Sequence, residues 1–148
     1  MNAEKESRVS RYSNIPLRDF ERGSLDIEWF ENVYKNTGKA KWKMLHEASK
    51  YISEGHARRQ VKLYSNVLLG EVKITETLKK IKEKRDKIYV CALGLIPLSK
   101  ANPAADLLKR YHILQTFLKE SKQFSSQRQE SEKQAVEVGL ENLSRKAG

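Results

Sequence analysis

Apolar residues recur three and four positions apart in short runs, and each run stops at a polar or glycine-containing stretch. Ile27, Phe30, Val33 and Tyr34 form one such stripe, opened by Asp26 as an N-cap and closed by Asn36-Thr37-Gly38. Trp42, Leu45, Ala48, Ser49 and Ile52 form a second, closed by Ser53-Glu54-Gly55, and Val61, Tyr64, Val67 and Leu68 a third, closed by Gly70. Gly23, Gly38, Gly55 and Gly70 thus read as punctuation between short helices. A fourth stripe, Ile74, Leu78, Ile81 and Ile88, carries Glu76–Lys80 and Glu83–Lys87 at favourable i,i+4 spacing. Asp86 either caps a new helix there, or one helix runs on to Gly94.

Gly94-Leu95-Ile96-Pro97-Leu98 is apolar but contains a proline, which predicts a buried, extended connection. Asn102-Pro103 is a helix start, with Asn as the cap and Pro at the first helical position. Leu107, Leu108, Tyr111, Leu114, Phe117 and Leu118 then make a long stripe reaching to Phe124, and Ser125-Ser126 breaks it. A last helix, about 127–145, buries Ala135, Val136, Val138, Leu140 and Leu143. Gly139 lies inside it, where glycine costs about 1 kcal/mol relative to alanine, which fits either a close helix–helix approach that compensates or simple tolerance of a poor residue. Residues 1–23 show no sustained period and read as an irregular arm whose sticky patch, Ile15-Pro16-Leu17 with Phe20, packs on the first helix. No segment alternates as a half-buried strand does. The expected fold is all-α: an arm over 1–23, then a domain over 24–148 of short antiparallel amphipathic helices, stacked as a bundle or a HEAT-like helical-repeat segment.

Composition narrows the class further. At 148 residues the chain has room for one hydrophobic core. One cysteine closes no intramolecular disulfide, and no apolar run approaches the roughly 18 residues a membrane span requires, so a soluble cytoplasmic setting is expected. The formal charge is +10, and residues 35–90 hold most of the excess, with 15 basic against 6 acidic side chains. Lys41, Lys43, Arg58, Arg59, Lys62, Lys79, Lys80, Lys82, Lys84, Arg85 and Lys87 are the candidate contacts for a polyanion or an acidic protein face. Trp42, flanked by lysines, could stack a base, although its spacing to Leu45 and Ile52 places it in an apolar stripe.

Reactive chemistry finds no foothold in the pattern. His46, His56 and His112 lack the spacing of metal ligands, and Cys91 sits in an apolar context suited to a core thiol. The acidic pairs Glu130/Glu132 and Glu137/Glu141 lie among basic residues on what reads as a solvated helix face. Phosphate-loop, dinucleotide, nucleophile-elbow and zinc-protease signatures are missing. No catalytic, cofactor or metal residue is expected.

Several phrases carry a family likeness. They are Ile15-Pro16-Leu17-Arg18-Asp19-Phe20, Asp26-Ile27-Glu28-Trp29-Phe30, Lys50-Tyr51-Ile52-Ser53, and Tyr64-Ser65-Asn66-Val67-Leu68-Leu69-Gly70. Lys84-Arg85-Asp86-Lys87 running into Leu93-Gly94-Leu95-Ile96-Pro97-Leu98 continues the series, and Arg110-Tyr111, 117–124, Gln127-Arg128, Ser131-Glu132-Lys133 and Glu141-Asn142-Leu143 complete it. In these the chain resembles a large bacterial family of unknown function with molybdate metabolism regulator-like relatives, whose members often carry a tryptophan-glycine-arginine (WGR) module. The resemblance implies a helical-repeat-like segment of a longer protein, present here as a fragment or truncated member, and it transfers no catalytic residue. No Trp-Gly-Arg run occurs here. The function expected is a non-enzymatic scaffold or interaction segment contacting a protein partner or the remainder of a longer chain, with nucleic-acid binding through 35–90 as the alternative. A fragment would expose apolar surface on its final helices and self-associate through it.

Overall fold

The computed structural model describes residues 3–22, 26–49 and 55–148, with the backbone alone described at 20, 21, 45–49 and 55–58. Among these residues there are nine α-helices and no strand: α1 (Ala3–Ser10), α2 (Leu17–Arg22), α3 (Ile27–Thr37), α4 (Lys39–Ser49), α5 (Gly55–Leu68), α6 (Ile74–Lys84), α7 (Lys87–Ala92), α8 (Pro103–Glu120) and α9 (Ser126–Ala147). A 3₁₀ turn, Ser121–Gln123, joins the last two. The fold is all-α, as the periodicity requires.

Asp26 and Asn102 cap where the sequence places them, and Ser125, read there as a break, caps the last helix. Asp26 accepts from the Trp29 N–H, Asn102 from Ala105 and Ser125 from Arg128. Gly38 takes φ 84° and donates to the Tyr34 carbonyl. Asp86 accepts from the Ile88 N–H, so 74–92 is two helices rather than one. Arg85 stands between them with φ 48° in the left-handed region, an uncommon position for a non-glycine residue. That break separates Glu83 from Lys87, whose ammonium donates instead to Ser131 Oγ at 2.5 Å.

Three expectations need correction. The arm is helical over α1 and α2, with Ile15 and Leu17 buried between and at the start of them. Gly55 opens α5 instead of closing the preceding helix. The connection after α7 is buried through Ile96, but Pro97 is exposed and Leu98 half-buried, and the chain turns at Leu93–Leu95 before extending. The stripe ending Trp42, Leu45, Ala48, Ser49 and Ile52 falls largely on side chains outside the described residues, as do Gly23, Ser53 and Glu54.

The core forms where α9 packs on α7 and α8, and α5 and α6 close over α7. Val67, Ile81, Ile88, Val90, Leu93, Leu95, Leu114, Phe117, Val136, Val138 and Leu143 make one continuous apolar cluster. Cys91 belongs to it, and burial pushes its thiol up to about 11, which leaves it protonated and unreactive at neutral pH. The axis of this bundle depends on two glycines. A Cβ on Gly139 would lie 2.7 Å from the Val90 carbonyl oxygen, and one on Gly94 would lie 2.4 Å from the Leu143 nitrogen. Both neighbours are backbone and cannot step aside as a side-chain tip would. Gly94→Ala is expected to destabilise the fold by about 1–3 kcal/mol, read as a lower urea midpoint at unchanged slope. Gly139→Ala should also destabilise, despite alanine's better helix propensity.

Candidate functional site

The basic residues of the middle segment part into two populations once folded. Lys41, Lys62, Lys79, Lys80, Lys82 and Lys84 are exposed. Lys43 is also on the surface and pairs with Glu71 at 3.1 Å, while Arg59 reaches Asp86 at 2.6 Å. The side chain of Arg58 is outside the described residues.

Arg85 behaves differently, because the left-handed turn at the end of α6 carries its side chain under α8 and α9. Its Nη2 donates to Glu132 Oε1 at 2.6 Å and to the Phe117 carbonyl at 2.9 Å, and Nη1 donates to Glu120 at 2.9 Å. The guanidinium also lies 3.9 Å from the centroid of the Phe117 ring. Glu132 is 2% exposed and receives Arg128 Nε at 3.2 Å on its other oxygen, with the Arg128 guanidinium 3.5 Å from the Phe124 ring centroid. Burial alone would raise the Glu132 pKa, but the hydrogen bonds from Arg85 and Arg128 outweigh it and hold the carboxyl below the ordinary range. Burial alone would lower that of Arg85, and Glu132 and Glu120 outweigh it in turn. Arg85 is therefore an internal cation bound by carboxylates and rings, a structural role in place of the surface contact expected of it. Glu132 likewise departs from the solvated face the sequence suggested.

Trp42 is settled by its neighbours. Its ring meets Phe30 edge-on at 4.7 Å and its indole N–H donates to Ser65 Oγ at 3.1 Å. Those contacts hold the ring half-buried between helices, away from a base-stacking position.

A second feature was not anticipated. The α8 stripe does not face inward as a whole: Leu114 and Phe117 are buried, whereas Leu108 is 57% and Tyr111 45% exposed. Arg110, 1% exposed, takes the inward position between them and fixes which side of α8 meets the core. The outward side lines a groove of about 680 Å³ between α6 and α8. Its floor is Leu78, Ile81, Ile113 and Phe117, with Lys82 on the α6 wall and Lys109 on the α8 wall. The signal was present in the sequence as an arginine at a core-spaced position in an apolar stripe. The apolar exposure expected of the final helices thus falls on α8, while α9 buries Ala135, Val136, Val138 and Leu143.

Comparison with known proteins gives one match, which spans residues 1–148: a family of unknown function (DUF5724). The chain belongs to this family. No curated protein and no solved structure matches it. The family's description assigns no activity and names neither molybdate regulation nor a WGR module. Among the described residues no helix is long and apolar enough to cross a membrane, and no three His, Cys, Asp or Glu side chains are grouped as a metal site. His112 is exposed beside the groove, edge-on to Tyr111 at 5.8 Å between ring centroids, while His46 and His56 have side chains outside the described residues.

Proposed function

We propose that this DUF5724 chain is a non-enzymatic, cytoplasmic protein-binding module, a helical-repeat-like scaffold segment of a larger bacterial protein. The observation that carries the reading is the apolar groove between α6 and α8, with Leu108 and Tyr111 exposed on the same helix. Aliphatic and aromatic surface left on a helix bundle is suited to another protein's apolar face. The two carboxyls held below their ordinary range point the same way: Glu132 is bound by Arg85 and Asp106 by Arg110, an ion-paired setting unlike that of a poised acid or base. The likeness to molybdate metabolism regulator-like proteins supports the larger setting.

The test is site-specific photocrosslinking in the host cell, with a benzophenone side chain at Leu108 and, as a control, at exposed Glu28 on α3. Discrete protein adducts at the first position and none at the second are expected. Nucleic-acid adducts, or equal adducts at both, would overturn the reading.

A second reading, nucleic-acid binding, is favoured by the exposed Lys41, Lys62, Lys79, Lys80, Lys82 and Lys84. The packing of Trp42 against Phe30 and the inward turn of Arg85 weaken it. At moderate salt the purified chain is expected to show no measurable affinity for duplex DNA or single-stranded RNA. Steeply salt-dependent anisotropy changes at two ionic strengths would instead establish the second reading.

A further inference from the structure

The groove-lining positions of α8 are Ala105, Leu108 and Lys109, then 112, 113, 116, 117 and 120. Their spacing of three and four residues is one unbroken helical stripe. At about 1.5 Å per residue it runs for about 22 Å, four turns of helix. An elongated, open-sided trough of that length fits a rod better than a compact small molecule. Its floor is aliphatic and aromatic, which suits the apolar face of an amphipathic helix anchored every three or four residues.

The rim selects the charge of that helix. Lys82 and Lys109 stand on opposite walls, and Lys79, exposed one turn before Lys82, extends the α6 side. Glu120, the carboxylate at the far end, is bonded by Arg85 at 2.9 Å, so its charge is offset from within. A positive rim on both sides attracts carboxylates on both flanks of an incoming helix and repels lysines there. The same rim disfavours a second copy of this chain, which brings its own +10. The aliphatic floor, not the rim, disfavours nucleic acid as the occupant of the trough itself, because phosphates gain nothing from it.

We infer that the α6/α8 groove receives one amphipathic helix of a partner protein, apolar on the buried face and acidic on both flanks. The inference rests on the protein-binding reading and adds the chemistry of the partner.

The probe is a fluorescein-labelled synthetic peptide of about 15 residues, the length of the trough, with leucines along one helical face and glutamates on both flanks. Two companions are the same peptide with lysine for glutamate and a shuffled peptide of the same composition. The full chain is expected to bind the glutamate peptide saturably in an anisotropy titration and to leave both companions unsaturated. Leu108→Glu, at an exposed position, should weaken binding about tenfold or more, and so should Lys82→Glu with Lys109→Glu. Circular dichroism of each variant checks that its helix content is unchanged. The inference is overturned by no saturation with the glutamate peptide, by equal binding of the shuffled peptide, or by indifference to Leu108→Glu. Protein adducts from the Leu108 photocrosslink without binding of the glutamate peptide would remove the acidic helix and leave the protein-binding reading standing. A concentration-dependent dimer that Leu108→Glu makes monomeric would replace it with self-association.

Discussion

Arg110→Met is expected to lower the unfolding free energy by about 3–5 kcal/mol, to be read by urea denaturation at neutral pH. Arg110 is 1% exposed, yet every face of its guanidinium is bonded. Nη1 donates to the carbonyls of Leu93 at 3.1 Å and Ile96 at 2.5 Å, and Nη2 to Pro97 at 3.0 Å. Nε and Nη2 grip the two oxygens of Asp106 at 3.0 and 2.8 Å. This one side chain therefore ties the buried connection after α7 to the first half of α8. Methionine fills comparable volume but leaves three carbonyls without a donor and Asp106 without its cation, and orphaned buried groups bear the full desolvation cost. Arg110→Lys should recover only part of the loss, since a single ammonium cannot reproduce a planar fork spread over five acceptor contacts. A variant as stable as the parent would show that the connection is held by its apolar packing alone.

Glu132→Gln is expected to cost a similar amount, about 3–5 kcal/mol, because it leaves Arg85 and Arg128 facing a neutral amide beneath Phe117 and Phe124. Its signature is the pH dependence. Burial opposes the charge on Glu132, but Arg85 and Arg128 win and depress its folded pKa below the unfolded value of about 4.3. A depressed carboxylate contributes stability that is fully present above the unfolded value and is lost as pH falls through the folded one. The gap between parent and Glu132→Gln should be widest near neutrality and narrow on acidification below about pH 4. Asp106, also depressed, with burial outweighed by Arg110 and the Ser99 N–H, adds to the acid sensitivity of the parent and remains in the variant. A gap that stays constant down to low pH would show that Glu132 titrates alike in the folded and unfolded chain, so that Arg85 and Arg128 give its charge no net stabilisation.

These two ion clusters mark the boundary between what could and could not be read along the chain. Caps are local: Asp26 and Asn102 each bond a backbone N–H three residues away, so the local sequence locates them. Burial of a charge is not local. Arg85 and Glu132 are 47 residues apart, and nothing in the Lys- and Arg-rich run around position 85 distinguishes the one cation turned inward from the lysines left in water. The uneven stripe of α8 has the same origin, since Leu108 and Leu114 look alike in a hydrophobic pattern until Arg110 sets the rotation of the helix. The helical arm was missed for another reason: α1 has no buried residue and α2 is only six residues long, so neither presents an apolar period. Charge alone marks the polyanion candidates, and folding commits Lys43, Arg59 and Arg85 to carboxylates of the chain itself.

Periodicity, capping residues and glycine placement, all acting within a turn or two of helix, were enough to determine that this protein is all-α and where α3, α8 and α9 begin. They left Gly139 open between a close approach and simple tolerance, and the Val90 carbonyl, 2.7 Å from where a Cβ would sit, decides for the close approach. Only the tertiary structure decided that Arg85 turns inward onto Glu132, that Arg110 and Glu132 are buried, and that Leu108 lines an open groove while Tyr111 stays exposed on the same helix. The reason is physical: helix formation is governed by neighbours a few residues away, whereas which side of a helix meets the core is set by partners brought together only when distant segments pack.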